Sequence, residues 1–174
     1  MQETEVKFLE IDRPKIARRL MELGARKVFD GDIFSENFDF PDRRITKAGH
    51  TLRLRLKREG QKEHGELTFK KRLSKRKAKI ADENEFLVRD YGKARRALFS
   101  LGLRPVVRVK KHRLSYSLGE AHFEFDKVKG IPLFLEVESE SFVELKEYVE
   151  KAGLSMREAK PWSLRDVLRH YGRR

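Results

Sequence analysis

Thr51-Leu52-Arg53-Leu54-Arg55-Leu56-Lys57 alternates without a break, leucines against cations. A period of two is that of a β-strand with one apolar face and one charged face. The same alternation spreads outward in both directions. Upstream, residues 3–10 set Glu3, Glu5 and Lys7 against Thr4, Val6 and Phe8, and residues 26–40 are strand-like. Downstream, residues 66–72 set Leu67, Phe69 and Lys71 against Thr68, Lys70 and Arg72. Further strands are expected over 83–89 and 105–117. Residues 121–128 place Phe123 and Phe125 opposite His122, Glu124 and Asp126, and residues 133–139 place Leu133, Leu135 and Val137 opposite Phe134, Glu136 and Glu138.

Between these strands lie helix signals. Asp12 can cap a helix with Pro14 in its first turn, followed by Ile16, Ala17, Leu20 and Leu23 and stopped by Gly24. Helices are also expected over 92–101, from Ser141 to Gly153, and over 163–171. Pro41 to Gly49 reads as a loop, Gly60 and Gly65 bracket a turn, and the second half of the basic run Lys70–Lys79 reads as an exposed loop. Eight strands joined mostly by short connections, with four helices, make an α+β fold of antiparallel character. The chain has 174 residues and no repeat or linker divides it, so one domain is expected over 1–174.

Hydrophobic residues make up 39% and there are 12 Phe, enough to build a core. Cysteine is absent, which excludes disulfides, thiolate nucleophiles, thiolate zinc sites and iron–sulfur clusters. No apolar run is long enough to span a bilayer, and the amino terminus lacks the pattern of a secretory signal. A cytoplasmic protein without a membrane partner is expected.

Lys and Arg number 41 against 28 Asp and Glu, a net charge of +13 that favours an anionic partner. On any single strand the charged face reads as solvated sheet. Collectively the charges fall in register and sort by sign. If the sheet closes into a barrel, helices can cover the apolar faces outside, and the charged faces line a lumen. Unpaired buried charge is costly, so such a lumen suits a wet passage for a highly charged ligand. Carboxylates without Cys favour a hard divalent ion such as Mg²⁺ or Mn²⁺. Guanidinium and ammonium groups suit phosphate oxygens.

Several segments then fall into a known order. Glu3-Thr4-Glu5-Val6-Lys7 resembles the E-x-E-x-K motif of the CYTH superfamily, the triphosphate tunnel metalloenzymes. Leu52-Arg53-Leu54-Arg55 is similar to its L-R-x-R strand, Leu67 to Arg72 to its L-T-x-K strand, and Glu83-Asn84-Glu85 to its E-x-E strand. Lys111-His112-Arg113 with Tyr116 resembles K-x-R-x-x-Y. Phe125 to Val128 and Phe134 to Glu138 resemble the late D-x-V and F-x-E-x-E pair. Ser163 to Leu168 is similar to the tail of the branch containing class IV adenylyl cyclases. Leu164 stands where Tyr is common, Asn37 where Tyr often precedes Phe38, and Ala81 where Arg is often found. The resemblance covers essentially the whole chain.

That resemblance implies an eight-stranded antiparallel barrel with helices packed outside, holding a triphosphate and a divalent metal. Lys7, Arg53, Arg55, Lys70, Arg72, Lys111 and Arg113 are the implied phosphate grips. Glu3, Glu5, Glu136 and Glu138, then Asp126, Glu83 and Glu85, are the implied ligands of Mg²⁺ or Mn²⁺. Glu3, Glu5, Lys7 and Glu136 are the implied catalytic set. The activity implied first is that of a class IV adenylyl cyclase, converting ATP to cyclic AMP and pyrophosphate. The alternative within the superfamily is an inorganic, nucleoside or thiamine triphosphatase. A basic nucleic-acid-binding module is the reading from another class. It is not favoured, because aromatic residues are not interleaved with the cations along the sequence. The five His have no metal-ligand spacing. The apolar outer strands and tail could support a homodimer.

Overall fold

A computed structural model of the chain describes residues 2–172, apart from the side chains of Gln2 and Lys75. Met1, Arg173 and Arg174 of the expected 1–174 domain lie outside the described residues. The strands are β1 (Gln2–Leu9), β2 (Arg26–Asp39), β3 (Thr51–Glu59), β4 (Lys62–Lys75), β5 (Lys79–Val88), β6 (Arg104–Leu118), β7 (Ala121–Val128) and β8 (Phe134–Ser139). They close into a barrel in the order β1-β5-β4-β3-β2-β6-β7-β8, and every neighbouring pair is antiparallel.

Outside it lie α1 (Arg13–Glu22), α2 (Arg44–Lys47), α3 (Tyr91–Ser100), α4 (Phe142–Lys151) and α5 (Leu164–His170). Asp12, Asp90, Ser141 and Ser163 cap the four longer helices with side-chain oxygens. Among the described residues no helix is long and apolar enough to cross a membrane.

Three expectations are corrected. The stretch expected as a loop from Pro41 to Gly49 contains α2, a single turn organised from Asp39. That buried carboxylate accepts N–H groups from Phe40, Ile45 and Thr46 at 2.8, 3.0 and 2.8 Å, which folds the segment back on itself. The β3–β4 turn is shorter than expected: Glu59 pairs with Lys62, and Gly60 turns the chain at φ 58°. Gly65 is instead an interior strand residue, where a β-carbon would stand 2.9 Å from the Val88 carbonyl oxygen. The loop expected in the second half of the basic run is present but narrower, confined to residues 76–78, because Arg72, Ser74 and Lys75 pair with Ala81, Ile80 and Lys79 across a bulge.

The hydrophobic cores lie outside the barrel, as the alternation demands. Val6, Phe8, Phe123, Phe125, Leu135 and Val137 pack against Ile16 and Leu20 of α1 and Leu145 and Val149 of α4. Phe38 and Leu54 pack against Leu98 and Leu103. Leu9, Phe134 and Val128 share the phase of the charged face, yet they pack with Val167, Leu164 and Leu168. Helix α5 therefore covers one end of the inward face with apolar side chains.

One carboxylate is buried on the outer face. Glu36 is 1% exposed and accepts from Arg95 Nε at 2.6 Å, Arg108 Nε at 2.9 Å and the Tyr91 hydroxyl at 2.9 Å, tying α3 to β2 and β6. Burial alone would raise its pKa, but these hydrogen bonds hold it below its ordinary value. Glu36→Ala is expected to cost about 1–3 kcal/mol, read as a lower urea midpoint. A depressed folded pKa stabilises above the ordinary carboxylate value of 4.5 and loses that contribution as pH falls through the folded value. The difference between wild type and variant should accordingly be full at pH 7 and shrink in acid below pH 4.5.

Candidate active site

Cross-strand register carries the charged phase around the inside of the barrel. Glu5 lies opposite Glu138, Lys7 opposite Glu136, Glu136 opposite Glu124, and Asp126 opposite Arg113. On the other side, Arg55 lies opposite Glu66, Arg53 opposite Thr68, Thr68 opposite Glu85, and Lys70 opposite Glu83. The lumen thus gathers eight cations, Lys7, Arg53, Arg55, Lys57, Lys70, Lys79, Lys111 and Arg113. Facing them are nine carboxylates, those of Glu3, Glu5, Glu66, Glu83, Glu85, Glu124, Asp126, Glu136 and Glu138. They divide into walls. β1, β7 and β8 carry most of the acids, while β3 and β6 carry most of the bases.

Ion pairs lace the walls together. Lys7 Nζ is 3.0 Å from Glu5 and 3.3 Å from Glu136, and Lys79 Nζ reaches Glu5 at 2.8 Å. Lys70 Nζ is 2.5 Å from Glu3 and 2.6 Å from Glu83. Arg113 grips Asp126 with two nitrogens at 2.6 Å each, touches Glu124 and lies 3.5 Å from Glu136. Lys111 meets the same Asp126 at 2.6 Å. Deeper on β3, Glu66 takes Lys57 at 2.6 Å and Arg55 at 3.3 Å.

Two carboxylate groups stand out. Oxygens of Glu3, Glu5 and Glu138 lie within 4.8 Å of one another, as do those of Glu124, Glu136 and Glu138. Glu138 belongs to both. Burial, then the charges of Glu124 and Glu3, push its pKa well above the usual carboxylate range. Burial, then contact with Glu3, pushes Glu83 up to about 7. Glu136 behaves oppositely: burial would raise it, but Lys7 and Arg113 hold it far below its ordinary value. Burial and neighbouring Arg113 push Lys111 down to about 8. On the basic wall, Arg53 Nε and Arg55 Nε are buried and have no acceptor among the described residues.

Glu3, Glu5, Glu136 and Glu138 therefore come together, and Lys7, Arg53, Arg55, Lys70, Lys111 and Arg113 all face the same space. Some expected members stand differently. Arg72 shares the inward phase, but it is exposed, its guanidinium lies over Gly49, and it makes no ion pair among the described residues. Asp126 is engaged by Arg113 and Lys111 through both oxygens and joins neither carboxylate group. Glu85 faces Arg53 and Thr68, and Glu83 meets Lys70 and Arg53 while also touching Glu3; neither joins the two carboxylate groups.

The motif reading missed Glu124, Lys79 and Glu66. Strand phase could have found all three: Glu124 shares its face with Asp126, Lys79 with Glu83, and Glu66 with Lys70. Asn37 and Ala81, two of the three departures from the branch pattern, also lie in the inward register, opposite Arg53 and Arg72. The third, Leu164, packs in α5.

Comparison with known proteins agrees with this fold. The CYTH domain family model matches residues 1–171. A Methanocaldococcus jannaschii protein named "putative adenylate cyclase" is 30% identical over 143 residues, covering 79% of this chain and 77% of its own length. A Vibrio parahaemolyticus structure of the same description superposes with a TM-score of 0.83 at 18% identity, covering 96% of this chain and 97% of that one. A Hippeastrum structure, described as revealing a dominant triphosphatase activity, superposes with a TM-score of 0.66 at 15% identity and covers 99% and 97% of the two chains. The chain belongs to the CYTH domain family.

Proposed function

We propose that the lumen binds a nucleoside triphosphate with a divalent cation and converts ATP to cyclic AMP and pyrophosphate, in the manner of a class IV adenylyl cyclase. The observation that carries this reading is the pairing of two carboxylate groups sharing Glu138 with an opposite wall of cations on which two buried donors, Arg53 Nε and Arg55 Nε, lack acceptors among the described residues. Polar groups buried without partners are rare, and phosphate oxygens are the acceptors that guanidinium geometry suits.

The donor set fits a hard divalent ion. Glu3, Glu5 and Glu138, with Glu124 and Glu136 beside them, offer only carboxylate oxygens, the ligands Mg²⁺ and Mn²⁺ prefer. A cation there would also offset the burial and crowding that push the Glu138 pKa up. Bound to these carboxylates, the ion would supply charge neutralisation and Lewis-acid activation of an oxygen nucleophile.

The remaining work falls to the chain's own side chains. Arg53, Arg55 and Arg113 hold phosphoryl oxygens and stabilise charge that grows on them. Glu66 and Asp126 fix the directions of Arg55 and Arg113, so those donors need little rearrangement. Lys111, whose pKa burial and then Arg113 push down to about 8, is a cation that a neighbouring anion would favour. Lys7 stands between Glu5 and Glu136, within the acidic wall.

Triphosphate hydrolysis is the second reading. The triphosphatase activity named for the Hippeastrum relative favours it, as do Asn37 and Ala81, which put small side chains where the cyclase branch often carries Tyr and Arg.

Incubation with ATP and with inorganic triphosphate, each with Mg²⁺ or Mn²⁺, tests both. Cyclic AMP with pyrophosphate is the expected product set. Orthophosphate alone selects the second reading, and no turnover of any triphosphate removes the enzyme assignment. Arg55→Ala should lower kcat by about 100-fold or more. Glu5→Gln should abolish metal-dependent turnover. The metal assignment has a readout apart from turnover. In chelator, Glu138→Gln is expected to melt no lower than wild type, since it removes a crowded acid. Added Mn²⁺ should raise the Tm of wild type but not of the variant.

A further inference from the structure

The lumen leaves the chain's positive charge unexplained. Its eight cations and nine carboxylates nearly cancel. Of the 38 basic and 28 acidic residues whose side chains are described, 30 and 19 therefore lie elsewhere, an excess of +11 outside the lumen. The excess has a focus. A cleft of about 520 Å³ opens where β2, β3, β6 and β7 meet, floored by Phe34 and Leu56 and rimmed by Arg58, Lys110, Lys127 and Lys129. Arg58 is held by Glu63, and the lining acid, Asp32, is held by His112. Lys110, Lys127 and Lys129 are exposed and enter no ion pair among the described residues.

Aromatic faces accompany these cations. Lys110 Nζ stands 5.9 Å from the centre of the Phe34 ring. Beyond Arg108, which Glu36 holds, a bulge shifts the phase of β6, and exposed Arg104 then lies 5.0 Å over Phe99, with Arg95, also held by Glu36, at 4.7 Å on that ring. At about 3.3 Å per residue, the stripe from Arg104 to His112 runs roughly 27 Å. The interleaving is tertiary. Phe34 comes from β2 and Phe99 from α3, so the sequence of β6 alone does not show it.

We propose that this cleft and the β6 stripe leading from it bind single-stranded nucleic acid. A polymer with a phosphate and a ring at every repeat matches cations spaced along a strand beside aromatic faces. An acidic peptide would satisfy the lysines and leave the ring of Phe34 without a stacking partner. Lys111 of the lumen also lines the cleft, but none of the three free lysines faces the lumen, so the proposal does not rest on the triphosphate reading.

Fluorescence anisotropy with a labelled single strand of about 20 nucleotides carrying a 5′-hydroxyl tests it on the full chain. Saturable binding that weakens steeply with salt is expected. The combined variant Lys110→Gln, Lys127→Gln and Lys129→Gln should lose at least about tenfold in affinity and flatten the log–log salt slope by roughly three. Phe34→Leu should weaken binding by about fivefold or more. Triphosphate turnover should be unchanged in the triple variant. Absence of saturable binding would overturn the proposal, as would equal binding by the triple variant. So would displacement by excess inorganic triphosphate with Mg²⁺, which would place the strand in the lumen. Retention on anionic lipid vesicles or an acidic peptide, without binding to the oligonucleotide, would assign the surface to that other partner.

Discussion

Every other feature depends on one constraint: charge enclosed by a closed sheet must find its counter-charge within reach. An isolated ion taken out of bulk water costs several kcal/mol or shifts its pKa until it is neutral. Both outcomes occur in this barrel. Where acid meets base, the charged forms are reinforced, as in the lowered Glu136 and the raised Arg113. Where like meets like, they are suppressed, as in the raised Glu138 and in Lys111, pushed down to about 8. Neighbouring carboxylates whose pKa values are forced apart, opposite cations also forced apart, are a recurrent feature of ligand sites.

The same constraint explains where the apolar residues are. A strand has two faces, and once one is given to the lumen the other must be covered from outside. Phe123, Phe125 and Leu135 meet α1 and α4, and Leu54 meets α3. The inward phase becomes apolar at Leu9, Phe134 and Val128, where α5 packs against it. The charged stretch of the lumen is therefore bounded along the strands as well as across them.

Period-two alternation made the barrel legible, because it survives whatever the strands pair with. Leu52 to Lys57 and Glu3 to Phe8 each declare their inward residues without help. What alternation could not declare is which inward residue stands beside which. Arg72 has the correct phase, but it is exposed and lies over Gly49 instead of joining the cation wall. Glu124 sits between two phenylalanines and matches no motif, yet register sets it against Glu136. Glu36 lies on the apolar face, where a carboxylate is unexpected; only the fold brings Arg95 and Arg108 to it from α3 and β6. The turn α2 was hidden for a similar reason, since its organiser, Asp39, lies outside the segment it shapes.

The resting ion pairs also suggest how a triphosphate could enter so crowded a lumen. Lys7 bridges Glu5 and Glu136, and Lys70 bridges Glu3 and Glu83, so the acids nearest the carboxylate groups are already held by bases. A divalent cation arriving with a triphosphate offers each partner a replacement: the acids turn to the cation, the bases to phosphate oxygens. Such an exchange conserves the balance of charge and strands no group. The desolvation of these side chains was met when the barrel folded, so binding need not meet it again. Either partner alone would leave one wall uncompensated, and cation and triphosphate should therefore bind with positive coupling.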